Sequence, residues 1–582
     1  MSGMRRLKSY LWRYWRHYLL GAFCLLGTAT LIMFIPWWIR ESVRILEQGG
    51  TLREVSFYAL MIAAAAILQG IARTYSRFLI FNAARDIEYD IRNDLFAHLQ
   101  KLSLSYYQSQ RTGDLMSRLI NDISAVRMLL GPGILNLINA PLYYFYAMIL
   151  MFSMDVRMTL AALLPYPILI WAVRRFRGKV LRTSLRVQQQ MAELSSHIQE
   201  NLSGMHVVRA YAQEQRQIEQ FARLNEEYQR RSTELAVLRG RVEPFMKAIS
   251  GLTILVVIWY GGIRVVRGDL MVADLVAFIA YLNVLAWPTA AFGWMLSLIE
   301  RGRAAMERLE EIFEVEPEIV SPSTPRALRK LEEGVEFREV WFAYGSQLNG
   351  QGVVKDISFS LPRGKTLAIV GRTGAGKTSL AQLVPRLYDV SSGEVRIDGN
   401  DVRTLLLSDL RRLIGYVPQD PFLFSATLRR NLSFGRDQVS DRELEEAIRI
   451  ARLDRDLAIF PQGLDTIVGE RGITLSGGQK QRATLARALL LDPPILILDD
   501  CLSSVDAETE HQILTGLREV LRDKTCILIS HRISAIRSAD RILVVDDGRI
   551  IEQGDHQALL RQGGVYAELF RKQQLSEELE SF

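Results

Sequence analysis

The sequence predicts two domains in series. The first is an all-α membrane domain of six transmembrane helices with long cytoplasmic helical extensions. The second is an α/β domain built on a largely parallel sheet. Three observations lead there. The first half carries six apolar runs, most near the roughly 20 residues that a helix needs to cross a bilayer. The second half alternates short β-rich runs with helical ones. Between them, residues 315–330 hold Pro317, Pro322 and Pro325 among Ser and Glu, the composition of a linker. The expected boundaries are 1–314 for the membrane domain, 315–334 for the linker and 335–582 for the α/β domain.

The bulk numbers agree with such a join. The chain has 582 residues, of which 49% are hydrophobic, and its mean hydropathy is +0.08. That average fits a strongly apolar segment attached to an ordinary globular one. The formal net charge of +7 is compatible with nucleic acid or with anionic lipid headgroups. The apolar runs favour lipid, and no nucleic-acid partner is expected. Cys24, Cys501 and Cys526 are too few and too scattered for a disulfide framework or a zinc site.

The N-terminus is basic and aromatic (Arg5, Arg6, Lys8, Tyr10, Trp12, Arg13, Tyr14, Trp15, Arg16), which predicts a helix lying in the membrane interface. The apolar run that follows is about twice the length of a signal-peptide core and lacks a small-residue cleavage site, so it is expected to be retained. The candidate spans are roughly 18–39, 55–81, 131–153, 156–176, 246–263 and 271–295. Gln69 and Arg73 soften the second and Lys247 the fifth. Short loops join spans one to two, three to four and five to six. Long polar stretches separate the other pairs. Those stretches are basic, with Arg85, Arg92, Lys101, Arg111 and Arg118 in the first and Arg174, Arg175, Arg177, Lys179 and Arg182 in the second. The positive-inside tendency therefore places both termini and both long stretches in the cytoplasm.

Gly371, Arg372, Thr373, Gly374, Ala375, Gly376, Lys377 and Thr378 fit the phosphate-binding pattern G-x4-G-K-[ST]. The apolar run Leu367–Val370 precedes them and a helical run, Ser379 to Leu387, follows. Glycines let backbone N–H groups converge on phosphate oxygens, and the helix points its positive end there. Lys377 would reach the β- and γ-phosphates, and Thr378 would ligate Mg²⁺. A glycine-rich turn with a chance lysine is the bland alternative. Further along, the apolar run 495–498 ends in Asp499, a carboxylate for the Mg²⁺ shell, with Asp500 placed as a catalytic carboxylate. A third motif is Leu475, Ser476, Gly477, Gly478 and Gln479, followed by Lys480, Gln481 and Arg482.

In this combination the second half resembles the ABC transporter ATPases. The resemblance implies ATP and Mg²⁺ as cofactors, and a Ser-Gly-Gly turn that acts across a dimer on the partner's nucleotide. It assigns Tyr344 to stacking on adenine. It assigns Gln419 to sensing the γ-phosphate side, to the metal, and to contact with the membrane domain. The segment 466–472 resembles the exporter coupling loop, Ser503–Asp506 the loop that crosses the dimer, and His531 the switch histidine. In the first half, residues 106–122 and 200–210 are similar to cytoplasmic segments of half-transporters. The whole chain thus resembles half of an exporter, with the membrane domain fused ahead of its ATPase, as in bacterial heterodimeric multidrug-resistance-like exporters.

One position departs from that family. Most active members carry glutamate where this chain has Asp500. Aspartate is one methylene shorter, and misplacing a catalytic group by about 1 Å can cost about a hundredfold in rate. Either aspartate suffices with help from His531, or the site is degenerate and this chain's intact signature completes a competent site on a second half-transporter subunit. A homodimer is the alternative assembly. The expected cargo is a hydrophobic or amphipathic compound, a drug or a lipid, carried out of the cytoplasm or inner leaflet. A specific lipid, peptide or metal-conjugate exporter and an ATP-gated regulatory subunit are the alternatives. Aromatics on the third, fifth and sixth spans (Tyr143, Tyr144, Tyr146, Trp259, Tyr260, Phe278, Tyr281, Trp287) either line a substrate cavity or pack the helices. Arg73 either serves function or snorkels to the boundary.

Overall fold

The computed structural model describes residues 2–345, 352–436, 438–469 and 475–580. Glu470, Arg471 and Gly472 of the expected coupling loop, and the side chains of Arg174, Arg177 and Lys247, lie outside the described residues. The chain divides into two compact units, 1–99 with 113–314 and 100–112 with 315–582.

The first unit is helical throughout. An amphipathic helix, Ser2–Arg13, opens it. Arg6 pairs with Glu310 at 2.6 Å, and the Tyr10 hydroxyl donates to Asp94 at 2.6 Å, so this helix is fastened to two long ones. The long helices are Trp15–Glu47, Leu52–Leu99, Tyr166–Ser203, Glu214–Val266 and Val272–Phe313. Leu52–Leu99 has 48 residues and Glu214–Val266 has 53. At about 1.5 Å per residue these run well over twice the roughly 30 Å of a hydrocarbon core, which produces the polar extensions.

All six predicted spans fall on helical segments. Trp15–Glu47, Leu52–Leu99, 112–154 and Val272–Phe313 are long and apolar enough to cross a bilayer. The other two candidates correspond to shorter apolar stretches among the described residues, Val156–Ile168 and Gly251–Val266. The fourth candidate is not one unbroken helix. Val156–Leu163 ends, and Tyr166–Ser203 begins after Pro165, whose missing N–H breaks the hydrogen-bond ladder. The 112–154 segment contains π-helical turns at Arg118–Asp122 and Leu129–Gly133, the second around Pro132. At the first of these, Asp122 accepts two hydrogen bonds from the Arg308 guanidinium, at 2.9 and 2.5 Å.

Of the two readings of the span aromatics, three residues take the packing one. Tyr143, Phe278 and Tyr281 are buried with Ala29, Met33, Ala147, Met151 and Val257 in one apolar cluster. The Tyr281 hydroxyl donates to the Met33 carbonyl at 3.1 Å, which joins the first and sixth spans. Trp259 and Trp287 stay exposed on this unit, as does Arg73.

The loop between the first two spans is only residues 48–51. Gly49 has a φ of +71° and Gly50 packs against Ile45, so exposed Gln48 is the better place for a reporter. Cys501 and Cys526 are buried and Cys24 is half-buried. In a Cys24→Ser background, Gln48→Cys is expected to react with a membrane-impermeant maleimide in intact cells. Protection there, with labelling only after lysis, would contradict an external loop.

The second unit contains the strands β1 (Gly334–Phe342), β2 (Val354–Pro362), β3 (Thr366–Gly371), β4 (Ser392–Ile397), β5 (Asn400–Asp401) and β6 (Ile414–Val417). It continues with β7 (Ala426–Thr427), β8 (Ile467–Val468), β9 (Ile495–Asp499), β10 (Thr525–Ile529), β11 (Arg541–Asp546) and β12 (Arg549–Gly554). The main sheet has the order β12-β11-β3-β10-β9-β6, and a four-stranded antiparallel sheet has the order β2-β1-β4-β5. In the main sheet every neighbouring pair is parallel except β11 with β12.

The main sheet is covered on both faces. Leu496 and Leu498 of β9 enter one apolar cluster, while Ile495 and Ile497 enter the other. A strand buried on both sides needs no polar alternation, which is why 495–498 reads as an unbroken apolar run. Each such side chain contributes about 1.5–3 kcal/mol over exposure. The parallel strands also end together at one edge. Gly371, Asp499 and Ile529 terminate β3, β9 and β10, and Gln419 follows β6 by two residues. Ligand sites of open parallel sheets form at that edge.

Candidate active site

The turn after β3 is set by its glycines. Gly374 and Gly376 have φ of +85° and +94°, and a Cβ at Gly376 would stand 2.6 Å from the Val353 carbonyl. The helix Lys377–Leu383 begins directly after this turn. It is shorter than the predicted Ser379–Leu387 run, because Pro385 cannot continue the ladder. Lys377 is buried, and its Nζ donates to the carbonyls of Gly371 and Arg372, both at 2.9 Å. Burial pulls the Lys377 ammonium below its usual range, with Asp500 and Asp499 acting in the opposite direction.

Asp499 is fully buried. Its Oδ1 accepts from the Thr378 hydroxyl at 3.1 Å and its Oδ2 from the Tyr416 hydroxyl at 3.2 Å. Burial raises its pKa, while these two hydroxyls lower it. A desolvated carboxylate beside a threonine hydroxyl presents the oxygen ligands that a hard divalent cation takes.

Asp500 follows with a left-handed φ of 44° and its N–H bound to the Ile529 carbonyl at 2.9 Å. Aspartate is among the few residues that tolerate this conformation. Thr373, Gly374, Gly376, Lys377, Thr378, Ser379, Gln419, Asp499, Asp500 and His531 line one cavity of about 180 Å³. His531 lies below its usual pKa, first through burial and then through the Lys377 charge, with Asp500 opposing. The imidazole is therefore neutral at neutral pH and can accept a proton.

The other predicted residues lie elsewhere. Gly371, Arg372 and Ala375 shape the turn without lining the cavity. Tyr344 is half-buried, edge-on to Phe342 and Tyr388, and its hydroxyl shares a hydrogen bond with Ser379 Oγ at 2.9 Å. Leu475, Ser476, Gly477, Gly478 and Gln479 form a separate feature at the start of the helix Gly477–Leu490. Ser476 caps that helix. Its Oγ accepts from Gln479 N–H at 3.3 Å, and Gln479 Oε1 accepts from Ser476 N–H at 2.9 Å, a reciprocal capping box. Gln479 and Arg482 both donate to Asp456. A Cβ at Gly478 would stand 2.8 Å from the Ser504 carbonyl, so the 503–506 loop packs directly on this helix. Gln481 secures the same loop through Ser503 Oγ and Ser504 N–H.

Sequence reasoning passed over Tyr416, Val353 and Ile529. The last two are apolar wall residues with no chemical signature. Tyr416 lies three residues before Gln419, and only its strand position could have flagged it.

Comparison with known proteins agrees with this architecture. The family model of the ABC transporter transmembrane region matches residues 18–289, and that of the ABC transporter matches residues 354–503. The chain is 34% identical to the multidrug resistance-like ATP-binding protein MdlA of Escherichia coli (strain K12), covering 99% of this chain and 97% of that one. It is 32% identical to the ATP-dependent lipid A-core flippase of Syntrophus aciditrophicus (strain SB), covering 96% and 92%. A solved bacterial Atm1-family ABC exporter with ATP bound superposes with a TM-score of 0.79 at 28% identity, over 96% of this chain and 98% of that one. The chain belongs to the ABC transporters of the exporter type, as an integral inner-membrane protein that joins a helical membrane domain to a cytoplasmic ATPase domain.

Proposed function

We propose that this chain is one half-subunit of an ATP-driven exporter of hydrophobic or amphipathic compounds, paired with a second half-transporter subunit of different sequence. In this reading its own ATP site is degenerate and its signature serves the partner's site. The observation that carries the reading is Asp500, a short carboxylate at the cavity wall beside His531. A second support is the intact capping box at Ser476 and Gln479, which leaves the signature ready for a phosphate. Relatives named for multidrug resistance and for lipid A-core flipping support an amphipathic cargo.

The site fits the cofactors. Gly371–Thr378 would hold the ATP phosphates, Thr378 and Asp499 would hold Mg²⁺ with Gln419 facing it, and Tyr344 would meet the base. When bound, Mg²⁺ offsets phosphate charge. Lys377 would exchange its two carbonyl partners for phosphate oxygens. Asp500 and His531 would orient the attacking water and take up its proton.

ATP-dependent uptake of a fluorescent amphipathic amine or lipid into inverted membrane vesicles tests this. Transport is expected only when a partner chain is co-expressed. Lys377→Ala is expected to weaken ATP binding at this chain's site while at least about half of the complex's ATPase remains, because Asp500 already makes that site slow. Transport by this chain alone would favour a homodimer. A complete loss of turnover in Lys377→Ala would overturn the degenerate-site reading.

A further inference from the structure

The buried Asp499 carboxylate is held from two sides, and only one of them belongs to the phosphate-binding turn. Thr378 takes Oδ1 and Tyr416 takes Oδ2. Gln382 also acts on Tyr416, lowering the pKa of its hydroxyl against the raising effects of burial and Asp499. Gln382 lies four residues after Thr378 on the helix Lys377–Leu383, so both side chains share a face of that helix. The other end of Gln382 is also engaged. Its Oε1 accepts from the Tyr344 hydroxyl at 3.3 Å.

Tyr344 O–H donates to the Gln382 carbonyl and Tyr416 O–H donates to Asp499, with the Gln382 amide between them. At low local dielectric such hydrogen bonds are strengthened. Tyr416 is half-buried on β6, beside β9, and its ring reaches past its register partner Ile497 to the carboxylate at the strand end. An amide is well suited to the middle of this chain because it accepts at one atom and donates at the other.

We propose that Tyr416 is a positioning residue for the Asp499 carboxylate, and that Gln382 orients Tyr416 and ties it to Tyr344. The metal-facing carboxylate and the base-side tyrosine then belong to one hydrogen-bonded chain about the phosphate-binding helix. The chain holds Oδ2 so that Oδ1 stays directed to Thr378. The inference rests on the reading of Thr378 and Asp499 as the metal-holding pair.

The test uses the purified full-length complex and Mn²⁺ as the probe, titrated by electron paramagnetic resonance at saturating ATP. Radiolabelled ATP binding in EDTA is measured alongside. Lys377→Ala identifies which part of the isotherm belongs to this chain. Tyr416→Phe keeps the ring and removes the donor, and is expected to weaken Mn²⁺ affinity at that site about tenfold. Metal-free ATP affinity should stay within about twofold of the starting protein, because no phosphate contact changes. Gln382→Met should weaken Mn²⁺ about threefold. The double variant should be no worse than Tyr416→Phe alone, since Gln382 acts through Tyr416.

Unchanged Mn²⁺ affinity in Tyr416→Phe, or an equal loss of metal-free ATP binding in a well-folded protein, overturns the proposal. If Tyr416→Phe does not fold, Gln382→Met decides, and unchanged Mn²⁺ affinity there overturns it. Asp499→Asn separates the two levels of argument. If it leaves Mn²⁺ binding intact, the metal-site reading is wrong. If it weakens binding while Tyr416→Phe does not, only the relay is wrong.

Discussion

Gly477→Asp is expected to lower the ATPase of the purified complex by at least about a hundredfold at saturating Mg-ATP. Gly477 is the first residue of the helix Gly477–Leu490, immediately after the capping Ser476. Its N–H group is one of those a helix leaves unpaired, and it is available to a phosphate supplied across a dimer. A Cβ there would stand 3.3 Å from Ser504 Cβ, so the new side chain also presses on the 503–506 loop. The carboxylate would repel phosphate oxygens and occupy their donors. Losing one well-placed donor to developing charge costs about 2.7–4 kcal/mol, which is a hundredfold or more in rate. The fold should survive, because an acidic side chain in the first turn is favourable to the helix dipole. The thermal midpoint is thus expected to stay within a few degrees while turnover collapses. Near-normal ATPase in Gly477→Asp, together with collapse in Lys377→Ala, would invert the assignment of which site works.

Asp500→Glu should act in the opposite direction and raise hydrolysis at this chain's own site by up to about a hundredfold. The added methylene extends the carboxylate by about 1.5 Å toward the cavity that His531 and Gln419 also line. The backbone conformation sets a counter-cost. At a φ of 44°, glutamate loses the local tolerance that aspartate enjoys, and stability should fall by up to about 1 kcal/mol. A gain in rate with a small loss in thermal midpoint is the signature of this exchange. Turnover is best read by trapping photoreactive ATP on this chain, which separates its site from the partner's. Unchanged trapping, even beside a partner with an intact signature, would show that the carboxylate's reach does not limit the site.

The phosphate-binding turn was legible because its chemistry is consecutive. Gly371 to Thr378 must be neighbours in sequence for their backbone N–H groups to converge, so the motif contains its own geometry. The strand ending in Asp499 was legible for a related reason, since burial on both faces leaves a continuous apolar run. The signature at Ser476–Gln479 carried its cap in the S-x-x-Q spacing. Other features were not written locally. Pro165 was visible, but whether it bends a span or divides it depends on the helices around it. The aromatics of the third and sixth spans offered no periodic signal separating cavity from core. Tyr143, Phe278 and Tyr281 turned out to be core because Ala29, Met33 and Ala147 leave room for them.

Sequence alone establishes the order of the two domains, the family and the placement of the apolar segments, and it nominates the residues proposed to meet phosphate and metal. Each of these depends on periodicity, composition or a short spacing, which a chain displays before it folds. The folded arrangement sets what meets Asp499. Tyr416 stands 83 residues from its partner in the chain and becomes a donor only because β6 lies beside β9 in the sheet. It likewise decided that Gln481 grips the 503–506 loop and that Arg308 clasps Asp122 at a π-helical turn. Such contacts follow from the register of strands and the crossing of helices. Those are set by how all the buried surfaces fit at once, and no short window of sequence contains that information.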